Sequence, residues 1–341
     1  MKKKILKLSY AALVGAVVMM SADSCKKKDD APATNYNSPA EVLADLAPDM
    51  QSFTLDPTKD NVITGEDGTV ISIPANAFLD KNGNPVQSTV TMDLKEILSL
   101  SDQLTSGVFA VSDGKLLSSG GEFYLKFSVG GQELSLADYK SIDVKIPTEN
   151  VDPEMNVFTG STVSNNPIEN DFSGTKVNWQ ISPDSAMNDF ATYKDPLDLE
   201  YNSMHKYIMT IYELYNNGWY NIDKVVNYEE LDHDGKCVVV VSDNDDEEEI
   251  VLNFQFIYKN FNCVCGLNNT NVGVFINEAN FTLYGYWVKN QTATLVVIGV
   301  GKKTKKLYYG KATVLITPGV TPQVQLSSIS KEALSSALND L

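Results

Sequence analysis

The feature that most constrains the fold of this chain is a long series of short apolar segments, each closed by a turn signal. Asp67-Gly68 lies between two β-branched runs, and Asn82-Gly83 lies before a third. Glycine after Asp or Asn between such runs is typical of a hairpin. Short strands at regular spacing therefore predict an all-β protein made of sandwiches or barrels.

The length of 341 residues suits two domains. We predict two β-sandwich domains in tandem, over residues 38–148 and 196–341. The stretch 149–195 is rich in Asn, Ser, Asp and Pro and is predicted to be a linker or an irregular edge of the first domain.

Two short helices are also predicted. Ser38 suits an N-cap, with Pro39 and Glu41 following as in a capping box, and Pro48 would end this helix. At the C-terminus, Ser330 suits a second N-cap. The residues Leu334, Leu338 and Leu341 that follow it recur at helical spacing.

The first 24 residues have the layout of a secretory signal peptide. Four lysines precede an uncharged apolar run, and small and polar residues follow it. That run is too short to span a bilayer, which takes roughly 20 apolar residues. The sequence Ser-Ala-Asp-Ser-Cys at residues 21–25 resembles a bacterial lipobox, which implies cleavage before Cys25 and lipid, including palmitate, on that cysteine.

A charged tract follows the predicted lipidation site, within a tether over residues 25–37. It resembles the export signal of Bacteroidota-type surface lipoproteins, which implies display on the outer face of the outer membrane. The alternative is a solvated tether of ordinary charged composition. The tract consists of Lys26, Lys27, Lys28, Asp29 and Asp30.

Composition excludes one class of partner. The formal net charge is −17, so the chain repels nucleic-acid phosphates and we predict no nucleic-acid partner. Three cysteines follow Cys25. Either Cys237 pairs with Cys263 or Cys265, or all three are buried thiols, which their apolar surroundings favour.

No catalytic or metal constellation is evident in the sequence. His205 and His233 are the only histidines, and neither has the setting of a catalytic base or a zinc ligand. The acidic run 243–249 lacks the glycine and alternation of an EF-hand, so it is predicted to be a solvated loop, with weak calcium binding as the alternative. We therefore expect no enzyme activity, no metal and no cofactor.

Candidate ligand contacts come from aromatic residues beside a turn signal. Tyr215, Trp219 and Tyr220 flank Asn216-Asn217-Gly218, so we predict that they are exposed and able to stack on a sugar ring. The alternative is that they pack in a core. Ser185, within Asp-Ser-Ala, fits a short O-glycosylation pattern of the same bacteria.

Part of the first domain resembles ZU5-like domains. The stretch Gly68 to Phe78, with Ile-Pro followed by a small-residue turn, is similar to their core, as are the strands near Val90–Leu94 and Ile142–Pro147. The later part resembles uncharacterised two-domain surface lipoproteins. Some ZU5-like relatives cleave themselves at a His-Phe-Ser or similar site, which this chain lacks.

These features together predict a non-catalytic lipoprotein bound to the membrane through Cys25. It would serve as an interaction module for adhesion or envelope scaffolding, with a protein or glycan partner. The alternative is a glycan-binding lipoprotein of a polysaccharide-uptake system.

Overall fold

The computed structural model describes residues 35–138, 140–148, 152, 154–163, 175–182, 190–194, 207–214, 217–231, 234–242, 249–269 and 278–341. Within them the fold is all-β, as predicted, with three short helices. The helices are α1 (Pro39–Leu46), α2 (Leu100–Ser106) and α3 (Lys331–Asn339). Several residues singled out in the sequence lie outside the described residues: Cys25, the tract 26–30, Ser185, His205, Tyr215, His233 and residues 243–248.

Twenty-two strands make up most of the described chain. The first twelve are β1 (Gln51–Leu55), β2 (Asn61–Thr64), β3 (Val70–Ile73), β4 (Phe78–Leu79), β5 (Val90–Ile97), β6 (Val111–Ser112), β7 (Lys115–Val129), β8 (Gln132–Glu133), β9 (Ser135–Leu136), β10 (Ile142–Thr148), β11 (Asn156–Thr162) and β12 (Val177–Ile181). The others are β13 (Phe190–Lys194), β14 (Tyr207–Leu214), β15 (Gly218–Val225), β16 (Asp234–Val241), β17 (Ile250–Tyr258), β18 (Cys263–Asn269), β19 (Glu278–Tyr284), β20 (Thr292–Gly301), β21 (Leu307–Leu315) and β22 (Gln323–Ile329).

Two sheets pack face to face as a β-sandwich. Sheet 1 has the order β1-β5-β7-β15-β11-β12, and sheet 2 has the order β13-β14-β10-β3-β2. Side chains from both sheets share one core, because alternate residues of a strand point to the same face. The core includes Ile71, Val144, Leu94, Phe123 and Ile222.

The boundary of the first domain differs from the predicted one. Strands β11, β12 and β13 occupy much of the stretch predicted as a linker, and β14 and β15 also join the two sandwich sheets. The sandwich thus extends to Val225, not to residue 148. The reason is that β15 pairs with β7 about a hundred residues earlier in the chain, and local turn signals carry no information about such a partner.

The second β-region is a closed barrel rather than the predicted sandwich. Its order is β16-β19-β18-β17-β20-β21-β22, and a parallel pairing of β16 with β22 closes it. Closure leaves no free sheet edge. Alternating apolar residues predict strands buried on one face but do not reveal whether the first and last strands meet.

The three cysteines lie in barrel strands and are buried in the core that the barrel shares with α2 and the start of β7. Cys237, Cys263 and Cys265 are buried thiols that form no disulfide, which confirms the second of the two predicted alternatives. Burial raises the pKa of Cys237 to about 12, so its thiol stays protonated at neutral pH. Phe256 and Trp287 fill the space beside them in an edge-to-face contact with centroids 4.8 Å apart.

Helices α1 and α3 form where the capping signals predict them, whereas α2, capped by Ser99, was not predicted. The Ser38 hydroxyl accepts from the backbone N–H of Glu41, and Ser330 caps α3 by accepting from Ala333 at 3.2 Å. Leu334 and Leu338 of α3 are buried in the same core as the barrel.

The sandwich and the barrel are joined by hydrogen bonds from α2. The buried amide of Gln103 donates to the carbonyl of Asn262 at 2.9 Å and accepts from Val264 N–H at 3.0 Å. The Asn262 side chain in turn donates to the carbonyl of Ser119 in β7 at 3.1 Å. These contacts connect the start of β18 to both α2 and sheet 1.

Glu96 stabilises the turn between β2 and β3 from inside the sandwich. Its buried carboxylate accepts from the backbone of Thr69 at 2.9 Å, from Asp67 at 3.0 Å and from Gln51 Nε2 at 2.8 Å. A Cβ at Gly65 would collide with that carboxylate, so only glycine fits there.

We expect Glu96→Gln to lower the free energy of unfolding by about 3 kcal/mol, because a Gln amide nitrogen would face backbone donors in a buried site. Urea unfolding at neutral pH measures this. Glu66→Gln, at an exposed position of the same turn, is the control and should change stability little. Equal effects of the two substitutions would contradict the assigned role of Glu96.

Candidate functional site

The outward face of sheet 1 carries one continuous cross-strand row. Lys95 lies opposite Tyr124, Tyr124 opposite Trp219, and Trp219 opposite Gly160, in four neighbouring strands. Phe123, next to Tyr124 in the chain, points into the sandwich core, so this row points away from it.

Trp219 is held in one orientation by its aromatic neighbours. Its ring lies 5.2 Å from Tyr124 and meets Trp179 edge-on at 6.4 Å, measured between centroids. A Cβ at Gly160 would come within 2.7 Å of both tryptophans, so glycine lets Trp179 lie close against the sheet. Trp219 and Tyr124 both remain partly exposed.

The three predicted ligand contacts have different outcomes. Trp219 lies on the outward face, partly open to solvent, and stays a candidate. The prediction that Tyr220 is exposed is wrong, because Tyr220 is 1% exposed and stacks on Phe123 in the sandwich core at 5.4 Å. Gly218 already belongs to β15, so successive residues point to opposite faces. Tyr215 lies outside the described residues.

Lys95 lies opposite Tyr124, and Lys176 lies close enough to Lys95 to repel its charge. Lys176 runs along Gly107 and donates from Nζ to the carbonyl of Ser106 at 2.6 Å, at the end of α2. Among the described residues, no carboxylate lies within ion-pair distance of Lys95 or Lys176. We call Lys95, Tyr124, Trp219 and Lys176 the lysine–aromatic strip.

The environment disfavours the charge on both ammonium groups. Partial burial lowers the pKa of Lys95, repulsion from Lys176 lowers it further, and attraction to Asp49 and Asp102 only partly offsets this. Partial burial also lowers the pKa of Lys176. No local pattern predicts that these two lysines lie near one another, since they are 81 positions apart in unrelated segments.

The same face continues from the strip into a fully buried polar cluster. Glu122 lies opposite Asn221, and Ser119 lies opposite Asp223, across a bulge in the pairing of β7 with β15. Asp223 accepts from Asn221 Nδ2 at 2.5 Å and from Gly120 N–H at 3.3 Å. Neither carboxyl oxygen of Glu122 has a hydrogen-bond partner in the part of the chain that the structure describes.

Burial raises the pKa of both acids. For Glu122 the pKa rises well above 4.5, with repulsion from Asp223 and then Asp102 adding to burial. For Asp223 burial outweighs the hydrogen bonds from Ser119, Asn221 and Gly120. Glu122 is therefore protonated in the folded state at pH values where the unfolded chain has released that proton.

We expect Glu122→Gln to stabilise the protein, by a margin that widens as the pH rises from about 4.5 to neutrality. A raised folded-state pKa makes the wild type lose stability over that range, and Gln removes this loss. Thermal unfolding at a series of pH values measures it, with Glu66→Gln as the control. A constant or shrinking margin would contradict the raised pKa.

A separate groove of about 620 Å³ lies at one end of the sandwich. The turn Asp80–Asn84 forms one wall, held by the Asp80 carboxylate, which accepts from the backbone of Asn82 and Asn84 at 2.8 Å each. The hairpin between β7 and β8 forms the other. The lining residues are Asp80, Lys81, Asn82, Pro85, Val86, Gln87, Ser88, Val129, Gln132, Glu133 and Leu134.

The described residues contain neither a metal-ligand cluster nor a membrane-spanning helix. Among the described residues, no three His, Cys, Asp or Glu side chains converge as metal ligands would. Of the acidic run only Glu249 is described, and it forms an ion pair with Lys302. None of the described helices is long and apolar enough to cross a membrane.

Comparison with known proteins adds little to this all-β class. No family model matches the chain, and no curated protein matches it. Five chains of known structure match, among them the Bacillus anthracis TIE protein, which is 9% identical with a TM-score of 0.16. That match covers 82% of this chain and 41% of the TIE chain, so the chain spans about two fifths of its length. A likeness this weak carries no argument about fold or function.

Proposed function

We propose that the protein is a non-catalytic lipoprotein of the outer membrane, displayed at the cell surface through lipid on Cys25. It acts as an interaction module in adhesion or in scaffolding an envelope complex. The observation that carries this proposal is the placement of the groove relative to the point where the tether joins the folded unit.

The tether joins the folded unit beside the barrel. Asn37 accepts from Lys305 Nζ at 2.9 Å, and Tyr36 donates to Asp45 of α1. Asp45 also pairs with Lys331 of α3. The N-terminal end of the described chain is therefore fixed against the barrel and its helices.

The groove lies at the opposite end of β7. Leu116 and Leu117 begin this strand in the core that it shares with the barrel, and Val129 ends it in the groove wall. Fifteen residues at about 3.3 Å each span roughly 45 Å. The groove thus lies far from the end of β7 that packs in the core shared with the barrel, against which Tyr36 and Asn37 are held.

The groove lining suits an extended segment of a partner protein. Val86 and Leu134 are buried at its base, while Asn82, Gln87 and Gln132 offer amide donors and acceptors at its rim. Peptide groups require both kinds of partner, and a side chain of the segment would meet the apolar base.

The ZU5-like character of the first domain remains part of the proposal. What supports it is that β3 ends at Ile73, just before Pro74, and that β10 pairs with β3 through Val144 and Ile71. ZU5-like domains mediate protein contacts, in keeping with a partner protein in the groove.

We expect Cys25→Ser to abolish labelling with a palmitate analogue and to release the protein from membranes. Asp29→Ala with Asp30→Ala should keep the label but lose accessibility to protease added to whole cells. Labelling of the Cys25→Ser variant, or its retention in membranes, would contradict the anchor. Unchanged accessibility of the double variant would contradict the export role of the tract.

A photo-crosslinking amino acid tests the groove on intact cells. Placed at Gln87 or Gln132, it should give one discrete product, and at exposed Lys236 on the barrel it should give none. Ser88→Trp fills the groove and should remove the product. Products that also form from Lys236, or that persist with Ser88→Trp, would contradict a partner in the groove, as would the absence of any product.

Glycan capture for polysaccharide uptake is the second candidate function. It is favoured by one observation, the partly exposed Trp219 fixed between Tyr124 and Trp179. A soluble form of residues 31–341, screened against polysaccharides with and without calcium, tests it. Selective binding that weakens on Trp219→Phe would support it, and folded protein that binds none would remove it.

A further inference from the structure

The lysine–aromatic strip combines a fixed aromatic surface with two lysines that the fold leaves without carboxylate partners. Some partly exposed lysines elsewhere in this acidic protein have such partners. Lys224, for example, reaches Asp152 at 2.9 Å and Glu154 at 2.5 Å. Lys95 and Lys176 have no carboxylate within that distance among the described residues, and they lie close enough to repel one another.

The two ammonium groups are suited to receive an anion. The Lys176 ammonium group uses one donor on the Ser106 carbonyl and keeps two others, and the Lys95 ammonium group makes no hydrogen bond to the described residues. Their mutual repulsion and partial burial cost free energy. An anion between them would relieve the repulsion and form charge-assisted hydrogen bonds.

The aromatic pair determines which kind of molecule can bear the anionic group. Tyr124 and Trp219 offer partly exposed rings in the same cross-strand row as Lys95, tilted 55° to one another. An apolar ring face next to a few fixed polar groups is the usual make-up of a small-ligand site. The C–H face of a sugar ring matches the aromatic surface, and an acidic substituent on it would reach the lysines.

The overall charge limits the size of the ligand. At −17 the protein repels polyanions at long range, but at physiological salt this repulsion is screened beyond about 8 Å. A ligand with one acidic group gains the local contacts without the long-range repulsion that a fully charged polymer meets.

We infer that the lysine–aromatic strip binds an oligosaccharide with an isolated acidic group, with Trp219 and Tyr124 against the sugar ring and Lys95 and Lys176 on the anion. The inference rests on the second candidate function, and it is independent of the groove. The acidic group is a carboxylate or a sulfate.

Trp219 provides the signal for a binding test. Of the three tryptophans, Trp179 and Trp287 are at most 1% exposed, so iodide quenching of fluorescence reports mainly on Trp219. Acidic saccharides, each paired with a neutral counterpart, should protect Trp219 selectively. Suitable pairs are digalacturonate with galactobiose, sialyllactose with lactose, and a monosulfated lactose with lactose.

Substitution of single lysines assigns the anion contact. We expect Lys95→Gln and Lys176→Gln each to weaken binding of the acidic saccharide about tenfold, the loss of one partly buried charge contact. Lys126→Gln is the matched control. It removes the same charge from β7, two residues from Tyr124, opposite Asp93, and should leave binding unchanged.

The possible outcomes distinguish a failure of this inference from a failure of the glycan-capture function on which it rests. Equal binding of acidic and neutral saccharides would overturn the acidic specificity but keep glycan capture. Equal weakening by Lys126→Gln would also overturn the inference, because binding would then follow general charge. No saccharide binding by the folded protein, up to millimolar concentration, would overturn both the inference and glycan capture.

Discussion

The constraint on which the rest of this structure depends is the burial of sheet 1 on both of its faces. Phe123, Leu125 and Phe127 of β7 pack against sheet 2, while the start of the same strand lies in the core shared with the barrel. A strand covered on both sides must satisfy its polar groups within the protein. Gln103 and Asn262 do so at the junction, so the barrel has a fixed position on the sandwich.

Because the barrel covers only part of sheet 1, the outward face of this sheet has a buried part and an exposed part. Toward the barrel, Glu122 and Asp223 are buried without a cationic partner in the described part of the chain, which favours their neutral forms. Toward solvent, the same face opens at Tyr124 and Trp219. One sheet face thus changes within a few residues from a sealed polar cluster to an accessible aromatic surface.

Local signals in the sequence were enough for local structure. The all-β class, the α1 cap at Ser38 and the α3 cap at Ser330 follow from spacing over three or four residues, and the structure confirms them. The domain boundary, the closed barrel and the burial of Tyr220 depend on pairings between distant segments, such as Gly218 with Leu125. The lysine–aromatic strip has the same origin, since its members come from three strands and the residue before a fourth.

Barrel closure makes completion of the barrel wait for β22, its last strand in the chain. Val238 pairs with Gln323, and Asp45 near the start of the folded unit binds Lys331 of the final helix. Contacts of such high sequence separation form late and slowly. A chain that emerges from its N-terminus, from a ribosome or through a membrane channel, keeps an open barrel edge at β16 until β22 has appeared. The barrel therefore stays incomplete until that late strand has emerged.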